Sequence, residues 1–144
     1  MYYLPFHNID FDVEDAFTYG DCWRLAKELH DIAGYPIYAL GCSYTGPAET
    51  ERNWCHMFVR LPDGNLLDVR GVWDEEAMIE EWSHLYDDYC DHGEEAYQYE
   101  CLEFWAVRIW EDATTLQAPR YPEEDAQQAA RYVLAELDAA LANC

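Results

Sequence analysis

Basic residues are scarce in this chain: eight Lys plus Arg stand against thirty Asp plus Glu, for a formal net charge of −22. A surface of that sign repels phosphate backbones and anionic bilayers, so neither direct nucleic-acid binding nor membrane binding is expected. A run of about 20 apolar residues, which a membrane-spanning helix needs, is missing. Missing too is the basic-then-apolar opening of a secretory signal, since Met1-Tyr2-Tyr3-Leu4-Pro5 has neither part. Repeats, low-complexity tracts and flexible linkers are absent, and a single domain over 1–144 is the simplest organisation. The six cysteines permit a disulfide framework by count, but their spacings are irregular. Together with the lack of a signal, this gives the expectation of reduced thiols in a cytoplasmic protein. No cofactor is called for. A zinc site from Cys90, His92 and Cys101, or from His84 and Cys90, lacks a Cys-x-x-Cys clamp, so no metal is expected.

What the chain has in quantity is apolar and aromatic surface. Hydrophobic residues make up 51% and aromatic residues 16%, with six Trp and twelve Tyr. So many rings can offset the entropy of ordering the chain, which excludes disorder. The acids are read as a solvated surface, or more sharply as a nucleic-acid mimic that docks on a basic partner.

The patterning predicts an α+β domain. Residues 1–20 read as irregular. Their alternating acids Asp10, Asp12 and Glu14 lack the glycine and distal glutamate of a calcium loop. Cys22, Leu25, Ala26, Leu29, Ile32 and Ala33 recur at helical spacing, which predicts a helix over 22–33. Asp21 suits its N-cap and Gly34 its C-terminal stop. A strand over 37–42 follows, then a polar loop over 43–53. Asp74 is placed to cap a helix over 75–90, which carries Met78, Trp82 and Leu85. An acid-rich stretch over 87–95 ends it. Residues 99–110 read as a buried strand. Pro122 opens a last helix near 123–142, with Ala126, Ala130, Val133, Leu137 and Leu141 as its stripe.

Residues 54–61 and 65–70 read as a hairpin around Pro62-Asp63-Gly64. Pro and Asp suit the centre of a type I turn, and Gly64 the left-handed position after it. That turn pairs Leu61 with Asn65 and Phe58 with Asp68. Side chains alternate along strands, so His56, Phe58, Arg60, Leu66, Asp68 and Arg70 share one mixed face. Met57, Val59, Leu61, Leu67 and Val69 form an apolar face. Trp73, just beyond, reads as a core residue or a groove wall, and Cys55 as core.

Three residues form a candidate catalytic set. Cys22 falls in the first turn of a helix, where unpaired amides and the helix dipole favour a thiolate, the nucleophilic form. The adjacent Asp21 charge opposes it. His56 can take the thiol proton and return it to a leaving group. Asp68 lies diagonal to His56 on the partner strand, where it can orient the imidazole. Asp68 can equally pair with Arg60 or Arg70.

Gly20-Asp21-Cys22-Trp23-Arg24-Leu25-Ala26 resembles the nucleophile helix of papain-like enzymes. Gly34-Tyr35-Pro36 before a strand is similar to the Gly-x-Pro step of transglutaminase-like domains. Asn53 to Val59 and Leu66 to Val69 resemble the His and Asp strands of those domains. The resemblance covers about residues 18–72. It implies a small papain-like or transglutaminase-like domain, with the nucleophile helix packed on an antiparallel sheet. It also implies a cysteine-dependent hydrolase or acyltransferase that works through a thioester on Cys22, on a protein or peptide-like substrate. Ala16 and Phe17 stand where papain proper has its oxyanion-hole glutamine. The His56-to-Asp68 spacing is shorter than in transglutaminases and nearer that of bacterial cell-wall peptidases of the papain superfamily. The competing expectation is a catalytically inactive acidic binding protein, for example a phage-type inhibitor, docking on a basic partner surface.

Overall fold

The computed structural model describes residues 1–18, 21–44, 52–90, 99–108 and 121–142. In chain order the elements are β1 (Tyr3–Pro5), α1 (Phe11–Thr18), α2 (Cys22–Ala33), β2 (Ile37–Tyr44), β3 (Arg52–Arg60), β4 (Leu66–Asp68), β5 (Gly71–Trp73), α3 (Glu75–Cys90), β6 (Tyr99–Arg108) and α4 (Glu123–Ala142). The strands form one sheet in the order β1-β5-β4-β3-β2-β6, and every neighbouring pair is antiparallel. The class is therefore α+β. Among the described residues no helix is long and apolar enough to cross a membrane.

Helices cover both faces of this sheet, and the alternation of its side chains sorts them into two cores. Ala39, Met57, Val59, Leu67, Val69 and Val72 join Leu25, Ala26 and Leu29 of α2 and Ala126, Ala130 and Val133 of α4 in the larger cluster. Leu40, Phe58, Leu66 and Trp73 point the other way, onto Ala77, Met78 and Trp82 of α3. Burial of a large apolar side chain contributes roughly 1.5–3 kcal/mol, so both clusters are substantial. The mixed face of the predicted hairpin is thus covered by α3.

The hairpin forms in the register its turn chemistry dictates. Val59 pairs with Leu67 and Arg60 with Leu66. The Leu61 amide donates to the Asn65 carbonyl at 2.8 Å, and the Gly64 amide to the Leu61 carbonyl at 2.9 Å. Gly64 has φ +94°, which favours glycine. The Asp63 carboxylate accepts from the Asn65 amide at 2.9 Å and tightens the bend. β4 ends at Asp68, and a second reversal through Val69 and Arg70 starts β5. Gly71 there has φ +151°, and a Cβ at that position would lie 2.1 Å from the Leu4 carbonyl oxygen. Only glycine lets β1 pair against β5 at this point.

Several sequence expectations need correction. The stretch read as irregular over 1–20 supplies, within its described residues 1–18, β1 and α1, and β1 is held by pairing to β5. Asp21 occupies the N-cap position of α2 but makes no side-chain cap bond. Ile32 is 52% exposed and Leu141 59%, because the last turns of α2 and α4 run past what covers their stripes. The polar-loop residues 45–51 and the acidic residues 91–95 lie outside the described residues. So do His92 and the side chains of His84, Cys90 and Cys101, on which the zinc readings rest, and that of Cys55.

Candidate active site

The hairpin brings His56 and Asp68 together. His56 Nε2 lies 2.8 Å from Asp68 Oδ2, and both side chains are buried. The carboxylate accepts this bond, so Nε2 carries the hydrogen and Nδ1 is the free ring nitrogen of the neutral form. The other carboxylate oxygen is also committed. Asp68 Oδ1 accepts from the Arg70 amide at 2.9 Å, the Gly71 amide at 3.2 Å and Trp73 Nε1 at 2.9 Å. Arg60 and Arg70 do not take Asp68 through their guanidinium groups as the alternative reading expected. Arg60 pairs with Glu75, and Arg70 lies 3.7 Å from Glu14 and 3.6 Å from Glu81. Four donors on one buried carboxylate fix its position.

Two tryptophans complete the surroundings. Trp82 of α3 stacks on the His56 ring at 4.7 Å between centroids. Trp73 stacks on Tyr3 at 3.6 Å while donating to Asp68. The donor role of Trp73 was not evident from the sequence, because the reversal at Val69–Arg70 breaks the strand alternation that placed Asp68. The sequence signal for Trp82 was its position on the apolar stripe of α3.

Cys22 is the first residue of α2, carries a free thiol and is half-buried against the larger cluster. It is linked to His56 through the charge state of the ring. Burial works against the imidazolium, while hydrogen bonding to Asp68 and toward Cys22, and the charges of both, work for it. The balance raises the His56 pKa from 6.5 to about 9. The link to Cys22 is looser than the link to Asp68, since His56 Nδ1 is buried without a partner at hydrogen-bond geometry. A β-bulge adjoins His56: the register between β2 and β3 shifts from Leu40 opposite His56 to Gly41 opposite Trp54. Such an extra residue bends its strand and re-aims the neighbouring side chains.

Asp21, whose charge was expected to oppose a thiolate, is fully buried and turned to another task. Its Oδ2 accepts from the Tyr121 amide at 3.0 Å, tying the approach to α4 onto the start of α2. Its backbone carbonyl accepts from the Arg24 and Leu25 amides at 3.0 and 3.2 Å. The first-turn amides of α2 are therefore left uncapped by the Asp21 carboxylate, beside Cys22.

Fold and site together define an α+β domain with a buried His–Asp pair and a cysteine at a helix start. No protein-family model matches the chain, and comparison with curated proteins and with solved structures gives no match.

Proposed function

We propose that the chain is a cysteine-dependent hydrolase or acyltransferase acting on an amide or thioester of a peptide-like substrate. The observation that carries this reading is His56. It is held by Asp68 through Nε2, has a buried Nδ1 without a partner, and is biased toward its charged form by Asp68 and then Cys22 against the cost of burial. A ring fixed at one nitrogen and free at the other is what a proton shuttle requires.

In this mechanism the Cys22 proton passes to His56 Nδ1, and the sulfur adds to the substrate carbonyl carbon. The start of α2, which has no side-chain cap, supplies positive potential for the developing oxyanion. The bond to the leaving group breaks as that group takes the proton from Nδ1, leaving a thioester on Cys22. Water, or an amine in the transferase case, then attacks the thioester and gives its proton to Nδ1. The C–S bond breaks and the thiol is restored. Asp68 fixes the ring through Nε2. The resemblance to papain-like and transglutaminase-like domains over about residues 18–72 supports the same roles.

A second reading is favoured by one observation. His56 is only 1% exposed, beneath Trp82, as a purely structural His–Asp pair would be. The chain would then be an inactive acidic binding protein for a basic partner. Incubation with thioester and amide ester probes, followed by intact-mass measurement, separates the two. An acyl adduct that is lost in Cys22→Ala supports the enzyme. Absence of any adduct, with the fold intact, supports the binding protein.

A further inference from the structure

A groove of about 260 Å³ lies between α1 and α4, away from the His56–Asp68 pair. Its deeper wall is apolar, with Ala16 and Phe17 of α1 and Ala129 of α4 buried. Tyr121 and Tyr132 line it with exposed rings. Asp12 on α1 and Asp125 on α4 bring exposed carboxylates to it from opposite helices. Among the described residues no Lys or Arg lines the groove, and neither carboxylate forms an ion pair. Among the described residues, its lining side chains make one hydrogen bond to each other, Gln128 Nε2 donating to the Tyr132 hydroxyl at 2.7 Å. Arg24 reaches the Tyr121 carbonyl at 3.2 Å from α2, but it is not part of the lining.

The volume falls below the roughly 300–1,000 Å³ of sites for drug-sized ligands, and suits one long side chain. Aromatic rings and two carboxylates together fit a cation on an apolar stem: the stem packs on the rings, and the charged head meets the acids. The groove is also tied to the start of α2. The Asp21 amide donates to the Ala16 carbonyl at 3.3 Å, and the Asp21 carboxylate accepts from the Tyr121 amide. Two lining residues are thereby anchored to the residue that precedes Cys22.

We propose that this groove is a subsite for a basic side chain, Arg or Lys, of the peptide-like substrate. The assignment rests on the acyl-transfer reading for the word substrate, and on the groove alone for the basic side chain. A chain of net charge −22 attracts any cation, so the test must separate local contacts from the general field. Full-length Cys22→Ala protein is titrated with N-acetyl-arginine amide and with its neutral isostere N-acetyl-citrulline amide, followed through the backbone amides of Phe17, Tyr121 and Ala129. The expected result is shifts at those residues and at least about fivefold tighter binding of the arginine compound. Asp12→Asn with Asp125→Asn weakens it roughly fivefold. Asp15→Asn with Asp138→Asn, the same charge change elsewhere on the same helices, leaves it unchanged. Equal binding of citrulline, equal weakening by both double variants, or shifts confined elsewhere overturns the groove. A second arm measures turnover of the arginine thioester by the protein with Cys22 intact. Binding without turnover refutes the acyl-transfer reading and upholds the basic side-chain site. Turnover that does not distinguish arginine from citrulline refutes the subsite and upholds the chemistry.

Discussion

Asp68 and Cys22 act on the same imidazole, and they are held in very different ways. The Asp68 end is built by consecutive chain. One hairpin, one reversal and one glycine put four donors on a single carboxylate, three of them within six residues of sequence and the fourth from His56. The Cys22 end is built by distant chain, with Asp21 gripping Tyr121 across 100 residues and Cys22 half-buried at a helix start. The first end is over-determined and rigid, which suits the orienting role proposed for Asp68. The second is loosely engaged, which suits the nucleophilic role proposed for Cys22. Hydrogen bonds at such sites commonly tighten only when substrate is present.

The sharpest way to break this contrast is to truncate both ends. Asp68→Ala leaves an imidazole and three N–H donors buried without an acceptor, and should lower unfolding free energy by about 3–5 kcal/mol. Cys22→Ala should change it by less than about 1 kcal/mol. Urea unfolding of both variants measures the difference, and equal losses would erase the distinction.

Next in size is the pH dependence. The His56 pKa is raised from 6.5 to about 9 on folding. The folded state therefore binds this proton more tightly, and the associated stability is fully present below about pH 6.5 and lost as pH rises through about 9. The full effect is on the order of 3 kcal/mol. It should vanish in His56→Asn when stability is measured across pH 6 to 10.

Gly71→Ala tests the frame around the Asp68 end. Its Cβ would meet the Leu4 carbonyl oxygen, so β1 must shift, at a cost of about 2–3 kcal/mol. Hydrogen exchange should then speed up first in Tyr3–Pro5 and Gly71–Trp73. Trp73→Phe keeps the ring and removes one donor to Asp68, for a smaller loss of about 1.5 kcal/mol. A loss no larger than that of an exposed aromatic substitution would show that this bond does not help to hold the carboxylate.

The same contrast governs what could be read from the sequence. Pro62-Asp63-Gly64 is a local signal, and strand alternation carried it to the proximity of His56 and Asp68. Gly34 and Pro122 likewise bounded α2 and α4 through local backbone chemistry. The remaining features depend on distant chain. β1 has only three residues and exists through its pairing with β5, so Tyr3 to Pro5 gave no strand signal. Asp21 carries the residue type of a helix cap, and only the approach of Tyr121 shows that its carboxylate serves elsewhere. Trp73 lies past a reversal that alternation cannot cross. The burial of the mixed hairpin face depended on where α3 docks, which neither element encodes alone.

The proposed chemistry requires that His56 serve Cys22. The most direct measurement is the rate of Cys22 alkylation by iodoacetamide at pH 7, read by peptide mass spectrometry in the native protein and in a folded His56→Asn variant. Cys22 is expected to react first among the six cysteines, and His56→Asn to slow it at least about tenfold. Equal rates in the two proteins, or a Cys22 that is spared while other cysteines are modified, would contradict that chemistry.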